Sequence, residues 1–167
     1  CVNKGNFYIG AGQALQPTGS RNMITNGEFT GGTFTSWSTF SVNATPSFGT
    51  GYFSGSSYRE DIVAGRPNIL QDLVATGGYP LATLKGKNIT AGAWIKTDIP
   101  GLRISVGGSP SNLIVPDGEY HFVNSTLRIL DTATRVDVQF ITSASGVTGF
   151  VEVSNVTAVI GTKALGF

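Results

Sequence analysis

One stretch decides the fold class of this chain: Thr134-Arg-Val-Asp-Val-Gln-Phe-Ile141, in which polar and apolar side chains alternate from Arg135 to Phe140. Successive side chains of a strand point to opposite faces, so Val136, Val138 and Phe140 share one face, and the charged and amide side chains share the other. This pattern is typical of an antiparallel strand with one face in the core and the other in water.

A second stretch, Asn88-Ile-Thr-Ala-Gly-Ala-Trp-Ile-Lys96, alternates in the same way. Its apolar set runs from Ile89 to Ile95, and its other set includes Trp94 and Lys96. The small residues in this stretch permit another backbone or a ligand to come close. The stretch therefore predicts a strand near the middle of a sheet.

Shorter runs predict further strands, and Gly, Pro, Asn and Asp residues separate them as turn signals. The runs are Met23–Phe29, Trp37–Val42, Tyr58–Val63, Asn68–Leu73, Leu102–Val106, Tyr120–Leu127 and Gly149–Val159. Asp117-Gly118, between Leu113–Val115 and Tyr120–Val123, indicates a hairpin or tight turn. Many short strands at roughly 8–12-residue spacing predict an all-β antiparallel sandwich of the jelly-roll type. A β-solenoid is the alternative, but the sequence shows no repeat period.

The composition excludes several classes of function. The chain has 167 residues, enough for one domain, and only 13% of them are charged, about half of the usual ~25%. Its net charge of +1 argues against a nucleic-acid-binding protein, which would carry a basic stripe. One cysteine and one histidine exclude a disulfide framework and zinc sites built from these residues. No apolar run approaches the ~20 residues that a membrane span needs.

The first 21 residues differ in texture from the rest. Two short apolar runs around a Gly-rich corner are followed by the Gly/Ser-rich segment Gln16-Pro-Thr-Gly-Ser-Arg-Asn22. We therefore predict that residues 1–21 are the end of a β-helix-like region or a linker, and that residues 22–167 form the jelly-roll sandwich. Because the chain begins at Cys1 and not at methionine, it is interpreted as a fragment of a longer protein.

Three segments resemble one family, in the order in which that family carries them. Asn22-Met-Ile-Thr-Asn-Gly-Glu-Phe29, followed by Trp37, resembles the opening of carbohydrate-binding-module-like jelly rolls, of the form NLITNGDFE…W. Lys85-Gly-Lys-Asn-Ile-Thr-Ala-Gly-Ala-Trp-Ile-Lys96 resembles their middle strand, and Gly149-Phe-Val-Glu-Val-Ser-Asn-Val-Thr-Ala-Val-Ile160 resembles their last. Together with the β-helix-like coil before them, these three segments resemble the C-terminal domain of a bacteriophage tailspike or tail fibre.

The resemblance implies an assembly and a location. Tailspikes often finish a trimeric β-helix with such a sandwich, so the chain would be a homotrimer at the phage tail tip, in the virion and outside the cell. Some members bind host surface polysaccharide. Their depolymerase sites lie in the β-helix, which is almost wholly absent from this chain, so the resemblance implies a non-catalytic domain of a parent protein that can itself be a depolymerase.

The resemblance also implies a candidate metal site. Related sandwiches hold a structural Ca²⁺ between the first strand and the last, with carboxylates and backbone carbonyls as ligands. Glu28, in the opening motif, and Glu152, in the last strand, are the candidates here, and the alternative is that the chain has no cofactor. The late Asp position of the family holds Ser154 or Asn155 in this sequence, which weakens the site.

Aromatic residues in a Gly/Ser loop are the best candidates for a glycan or subunit contact, because such loops present adaptable contact surface. Tyr52, Phe53 and Tyr58 lie in the segment Gly49-Thr-Gly-Tyr-Phe-Ser-Gly-Ser-Ser-Tyr58. Tyr79, beside a Gly/Pro turn, is a further candidate.

The two tryptophans, Trp37 and Trp94, have two readings. Exposed tryptophans stack on sugar rings in binding modules of this kind. A tryptophan on a strand more often belongs to the core, where it buries a large apolar area. We predict that both tryptophans belong to the core.

The charged residues form no catalytic constellation. Glu60 and Asp61 are adjacent, but on a strand they point to opposite faces, and with Arg59 they predict a local ion pair on a solvated face. His121 has no nucleophile motif beside it and is interpreted as a structural or interface residue.

Three hypotheses follow. The first is a non-catalytic terminal domain of a phage tailspike or fibre, which trimerises the chain and binds host glycan. The second is a monomeric carbohydrate-binding module of a secreted polysaccharide-degrading enzyme. The third is an enzyme such as a polysaccharide lyase, which would need Tyr, His, Lys or Arg clustered on one face, whereas the sequence shows them scattered.

Overall fold

The computed structural model describes residues 21–111 and 113–163, which form two five-stranded antiparallel sheets. The prediction of an all-β antiparallel sandwich is therefore confirmed. The β-helix-like coil or linker predicted for residues 1–21 lies outside the described residues, except for Arg21. Leu165 and Phe167 also lie outside them.

Within the described ranges, ten strands and one helical turn follow in chain order. They are β1 (Ser38–Thr39), β2 (Val42–Thr50), β3 (Ser56–Arg66), β4 (Asn68–Asp72), α1 (Leu81–Leu84), β5 (Asn88–Thr97), β6 (Leu102–Val106), β7 (Ser109–Pro110), β8 (Tyr120–Arg128), β9 (Asp137–Thr142) and β10 (Val147–Ile160). The first sheet has the order β1-β4-β9-β6-β7 and the second has the order β2-β3-β10-β5-β8. No helix among the described residues is long and apolar enough to cross a membrane.

The core lies between the two sheets and follows the predicted alternation. Val138 and Phe140 of β9 are fully buried, as is Val136 just before it. The apolar set of β5, from Ile89 to Ile95, is equally buried. A fully buried Val, Ile or Phe side chain contributes about 1.5–3 kcal/mol relative to an exposed one.

An aromatic cluster fills one part of this core. Trp37 is only 6% exposed, and its indole N–H donates a hydrogen bond to the Asn26 carbonyl oxygen at 3.1 Å. Its ring packs against Phe29 and Phe140, with ring centroids 5.4 Å and 6.0 Å away. The prediction that Trp37 is a core residue is confirmed.

One predicted strand is absent. Met23–Phe29 is irregular because Asn26 and Phe29 have positive φ angles of 54° and 46°, although Met23 still donates its N–H to the Ala158 carbonyl. Leu113–Val115 forms no strand either, so Asp117-Gly118 is a tight turn before β8 and not a hairpin.

Two strands were missed, the two-residue β7 and the nine-residue β2, and the position of β2 explains why it was missed. β2 contains Pro46 and Gly49, which are turn signals, and its side chains are almost all exposed. It pairs only with β3 and forms one edge of the second sheet. Proline is tolerated in a strand at such an edge, where a missing N–H costs no ladder bond.

A β-bulge interrupts β10 next to the middle of the second sheet. The pairing with β5 shifts register between Ser154 and Thr157, and Asn155 has a φ of 50°. A bulge bends the strand and re-aims its side chains. Here it directs both Ser154 and Asn155 toward the connection between β2 and β3.

Glu60 is a buried carboxylate that ties the β1–β2 region to β3. It accepts hydrogen bonds from Thr39 at 2.7 Å, from Ser41 at 2.5 Å and from the Tyr58 hydroxyl at 2.9 Å. Asp61 points to the other face and pairs with Arg59 at 2.6 Å, which confirms the prediction that the two carboxylates do not share a site.

We expect Glu60→Ala to lower the free energy of unfolding by about 3 kcal/mol, because three hydroxyl donors lose a charged acceptor. Urea denaturation measures the change, with Glu119→Ala in an exposed turn as the control. A loss no larger than that of the control would contradict a structural role for Glu60.

Candidate functional site

The outer face of the second sheet, turned away from the first sheet, combines aromatic and charged side chains. Trp94 of β5 lies opposite Phe122 of β8. Lys96 of β5 lies opposite Tyr120 of β8 and, on its other side, Glu152 of β10. These side chains share one face because their positions in paired strands are in register.

The connection between β2 and β3 folds over this face. The backbone N–H of Tyr52 donates to Ser154 Oγ at 2.9 Å, and that of Phe53 donates to Asn155 Oδ1 at 3.2 Å. Gly55 allows the turn back into β3, since its φ is +67° and an added Cβ would lie 2.6 Å from the Glu28 carbonyl oxygen. The turn, residues 51–55, is thus fixed to the bulge of β10.

The tip of this turn completes an aromatic platform. We use that name for the five rings of Tyr52, Phe53, Trp94, Tyr120 and Phe122. Tyr52 stacks on Trp94 with centroids 4.1 Å apart and planes 19° apart, and Tyr120 lies 5.1 Å from Tyr52. Phe53 and Phe122 approach Trp94 at 5.3 Å and 5.6 Å. Tyr52 is 44% exposed and Phe53 is 52% exposed, so the platform presents aromatic surface to solvent.

The prediction that Trp94 belongs to the core is wrong. Its neighbours in sequence, Ala93 and Ile95, are buried in the core, so strand alternation places Trp94 on the outer face, where it is half-buried beneath Tyr52. Its indole N–H is buried and has no hydrogen-bond partner among the described residues. An unpaired buried donor has an energetic cost of about 1–3 kcal/mol.

A polar network borders the platform. Glu152 Oε1 accepts hydrogen bonds from Ser57 at 2.5 Å and from the Tyr120 hydroxyl at 3.0 Å. Glu152 Oε2 lies 3.8 Å from the Arg59 guanidinium. Burial, and then the nearby charge of Glu152, raise the pKa of Tyr120 well above its usual value, so the hydroxyl stays protonated and donates.

Arg59 is held in place from two sides. Its guanidinium lies over the Phe150 ring at 4.0 Å and is paired with Asp61 at 2.6 Å. The hydrogen bond from Arg59 holds the pKa of Asp61 below its usual value. The Arg59–Asp61 pair therefore stays ionised at every pH above the usual pKa of a carboxyl group. As a result, an ordered guanidinium remains on the outer face.

The four predicted contact residues separate into three groups. Tyr52 and Phe53 lie together on the platform. Tyr58 is corrected: it is 2% exposed, its ring stacks on Phe34 at 4.0 Å and its hydroxyl donates to Glu60, so it belongs to the core. Tyr79 lies between β4 and α1 and packs half-buried against the core.

The structure places the two implied Ca²⁺ ligands, Glu28 and Glu152, in different hydrogen-bond networks. Glu28 Oε1 accepts a hydrogen bond from Ser54 Oγ, and Asn155 Oδ1 accepts from Phe53 and from Ser154. Asn155 also points its amide donor toward Ser54. Glu152 belongs to the separate network described above, and no group of three or more His, Cys, Asp or Glu side chains in residues 21–111 and 113–163 is placed to hold a metal.

Two further features lie outside the platform: the contact of His121 with Asp117, and a cleft. His121 Nε2 lies 2.9 Å from Asp117 Oδ1 across the turn before β8. A cleft of about 460 Å³ is lined by Gly107, Leu127, Ile129 and Arg135, among others. Leu127 is five residues along β8 from Phe122, the platform residue nearest to it on that strand, which places this end of the cleft roughly 17 Å from the platform.

Sequence reasoning missed most of the polar network. Arg59 was correctly placed in an ion pair on a solvated face but was not linked to a site. Glu152 was considered only as a metal ligand, and Lys96 was not considered as a site residue. The alternation of β5 carried one usable signal, because it already placed Trp94 in the same set as Lys96.

Several solved structures with this fold are carbohydrate-binding modules. The CBM22-1 xylan-binding domain of Xyn10C from Paenibacillus barcinonensis has a TM-score of 0.61 and 8% sequence identity, with 87% of this chain and 98% of that chain covered. A cyclase from Fischerella sp. TAU has a TM-score of 0.59 and 11% sequence identity, with 85% of this chain and 98% of the cyclase chain covered. The fold is therefore that of a carbohydrate-binding-module-like sandwich.

A phage protein contains a similar structure. The enzymatically active domain of tailspike protein 4 of bacteriophage CBA120 has a TM-score of 0.61 and 16% identity, with 83% of this chain covered. This chain spans only 21% of that tailspike chain. No protein-family model and no curated protein sequence matches this chain. At these identities, the similarities establish the fold and not the activity.

Proposed function

We propose that this domain binds glycan on the outer face of its second sheet, through the aromatic platform. The observation that carries the proposal is the Tyr52 ring, which is fixed flat on Trp94 at 4.1 Å and remains 44% exposed. A pyranose has an apolar C–H face, which stacks on such a ring, and polar edges, which need hydrogen-bonding groups nearby. Sites of this type combine aromatic side chains with a few fixed polar groups.

The residues around the platform supply those polar groups. Glu152 is a carboxyl acceptor held by Ser57 and Tyr120, and Arg59 is a donor held over Phe150. Lys96 Nζ lies 5.8 Å from the centre of the Tyr120 ring. Because these groups are already ordered, a sugar that stacks on Tyr52 meets acceptors and donors that need little rearrangement.

The proposed role is binding without catalysis. The similarity to carbohydrate-binding modules supports it. Glu152 is the carboxylate in the network beside the platform, and its oxygens are engaged by two hydroxyl donors and a guanidinium. That arrangement favours a fixed acceptor over a group that gives and takes protons.

A glycan array tests the proposal, because it samples many sugar classes at once. We expect saturable binding to at least one class, followed by a calorimetric titration of the soluble oligosaccharide. We expect an affinity in the micromolar to millimolar range, which corresponds to a binding free energy of ~4–8 kcal/mol. A lack of saturable binding across neutral and acidic glycans would contradict the proposed function.

We further propose that the domain works at the tip of a phage tail, outside the cell, as part of a homotrimer that binds host surface polysaccharide. The tailspike similarity and the order of the three sequence motifs support this setting. Phe40, just before the edge strand β2, Val42, at its start, and Val63 of the neighbouring β3 are exposed apolar side chains. Apolar groups at such an edge favour contact with another protein surface.

Light scattering over a range of concentrations tests the trimer. We expect a stable mass of three times 17.4 kDa, and we expect Val63→Asp to lower it. A monomer at every concentration would contradict the trimer and favour the alternative, a monomeric carbohydrate-binding module of a secreted polysaccharide-degrading enzyme.

A further inference from the structure

We infer that the bulge residues Ser154 and Asn155 are positioning residues, which order the aromatic turn through side-chain oxygen atoms and without a metal ion. The inference rests on the proposed function only where it concerns affinity. It assigns a role to two residues whose side chains accept hydrogen bonds from the backbone of the turn.

The contacts form a continuous chain from β10 to the tip of the turn. Asn155 Oδ1 accepts from Ser154 Oγ at 2.7 Å, and Ser154 Oγ accepts from the Tyr52 N–H at 2.9 Å. The same Asn155 oxygen accepts from the Phe53 N–H at 3.2 Å. Two consecutive backbone donors of the turn are therefore satisfied by two consecutive residues of the bulge.

The bulge backbone is what makes this possible. In a regular strand Ser154 and Asn155 would point to opposite faces, but the register shift and the φ of 50° at Asn155 bring both oxygens to the turn. Asparagine tolerates this left-handed conformation better than most residues. Ser154 and Asn155 are both buried, so water competes little for these hydrogen bonds.

Glu28 anchors the other end of the turn. Its side chain accepts from Ser54 Oγ at 3.0 Å, and its backbone carbonyl accepts from the Ser56 N–H at 2.9 Å. The turn is thus held on both sides of Tyr52 and Phe53. Its oxygen acceptors are used by protein donors, which is the reason why a cation is not required to order it.

The variants Asn155→Gly and Asn155→Asp test the inference. Glycine keeps the left-handed backbone conformation but removes the acceptor oxygen. Aspartate keeps the backbone conformation and the acceptor oxygen. The matched control is Asn43→Gly, because Asn43 also has a positive φ, of 53°, at a bulge in β2 and bonds only to the Ala64 carbonyl.

The first readout needs no ligand: it is the indole N–H signal of Trp94 in a ¹H–¹⁵N spectrum, assigned with Trp94→Phe. We expect Asn155→Gly to move this signal and to leave that of Trp37 in place, because Tyr52 is no longer held on Trp94. We expect Asn155→Asp and Asn43→Gly to leave both signals unchanged. An unmoved Trp94 signal in Asn155→Gly would overturn the inference.

The second readout is the affinity for the oligosaccharide identified on the array. Loss of about one hydrogen bond to the turn predicts a five- to tenfold weaker binding for Asn155→Gly, rescued in Asn155→Asp. We expect 1 mM EDTA or 1 mM CaCl₂ to leave the parent affinity unchanged, and a large loss with EDTA would overturn the metal-free account. If the unsubstituted chain binds no glycan, the proposed function is contradicted. The Trp94 indole signal of Asn155→Gly still tests whether the bulge residues position the turn.

Discussion

Trp37→Ala is expected to lower the free energy of unfolding by about 4 kcal/mol, and Trp94→Ala by only about 1–2 kcal/mol. Trp37 is 6% exposed, packs against Phe29 and Phe140, and donates its indole N–H to Asn26. Its removal leaves a cavity in the core and an unpaired carbonyl oxygen. Trp94 lies on the outer face, and its removal also eliminates a buried N–H that has no partner among the described residues.

Urea denaturation, followed by far-UV circular dichroism so that the signal does not depend on tryptophan, measures both changes. The slope of the transition should stay constant, because the same surface unfolds in each variant. Equal losses for the two variants would contradict the assignment of Trp94 to the outer face. Trp94→Phe serves as a conservative control that keeps a ring beneath Tyr52.

Tyr52→Ala is expected to weaken glycan binding at least 30-fold, which corresponds to the ~2 kcal/mol of a hot-spot residue. Tyr52 provides the exposed stacking surface of the platform. We expect its free energy of unfolding to change by less than about 1 kcal/mol, since the ring is half-exposed and water gains access to the Trp94 N–H once the ring is removed.

Calorimetric titration and urea denaturation on the same preparation separate binding from stability. Tyr52→Phe keeps the stacked ring and should bind within about threefold of the parent chain. Phe40→Ala removes another exposed aromatic ring, 63% exposed and outside the platform, and should bind normally. Unchanged affinity in Tyr52→Ala would place the glycan elsewhere on the molecule.

The strands that alternate most strictly were predicted best, because alternation is a local property that survives folding. Thr134–Ile141 and Asn88–Lys96 correspond closely to β9 and β5, and their apolar sets are buried as expected. β2 was missed because an edge strand buries little and therefore shows no alternation. Met23–Phe29 was assigned as a strand from its short apolar run; its apolar residues are buried, but its positive φ angles exclude a strand.

The candidate site was only partly predictable, because it is built from residues far apart in sequence. Tyr52 and Phe53 were found from their Gly/Ser loop, but their partners Ser154 and Asn155 lie 102 residues away. The register between β5, β8 and β10 brings Trp94, Tyr120 and Glu152 together. Tyr58 was misplaced because its loop-like sequence is in fact the start of β3, where alternation points it into the core.

The most direct test of the central claim is the ¹H–¹⁵N spectrum of the chain during titration with the bound oligosaccharide. Trp37 and Trp94 are the two tryptophans of the sequence, so the indole region compares the core with the platform in one measurement. We expect the Trp94 signal and the backbone signals of Tyr52, Tyr120 and Glu152 to shift together, with one dissociation constant, while the Trp37 signal stays fixed. Shifts confined to the cleft around Gly107 and Arg135, with an unmoved Trp94, would contradict the account.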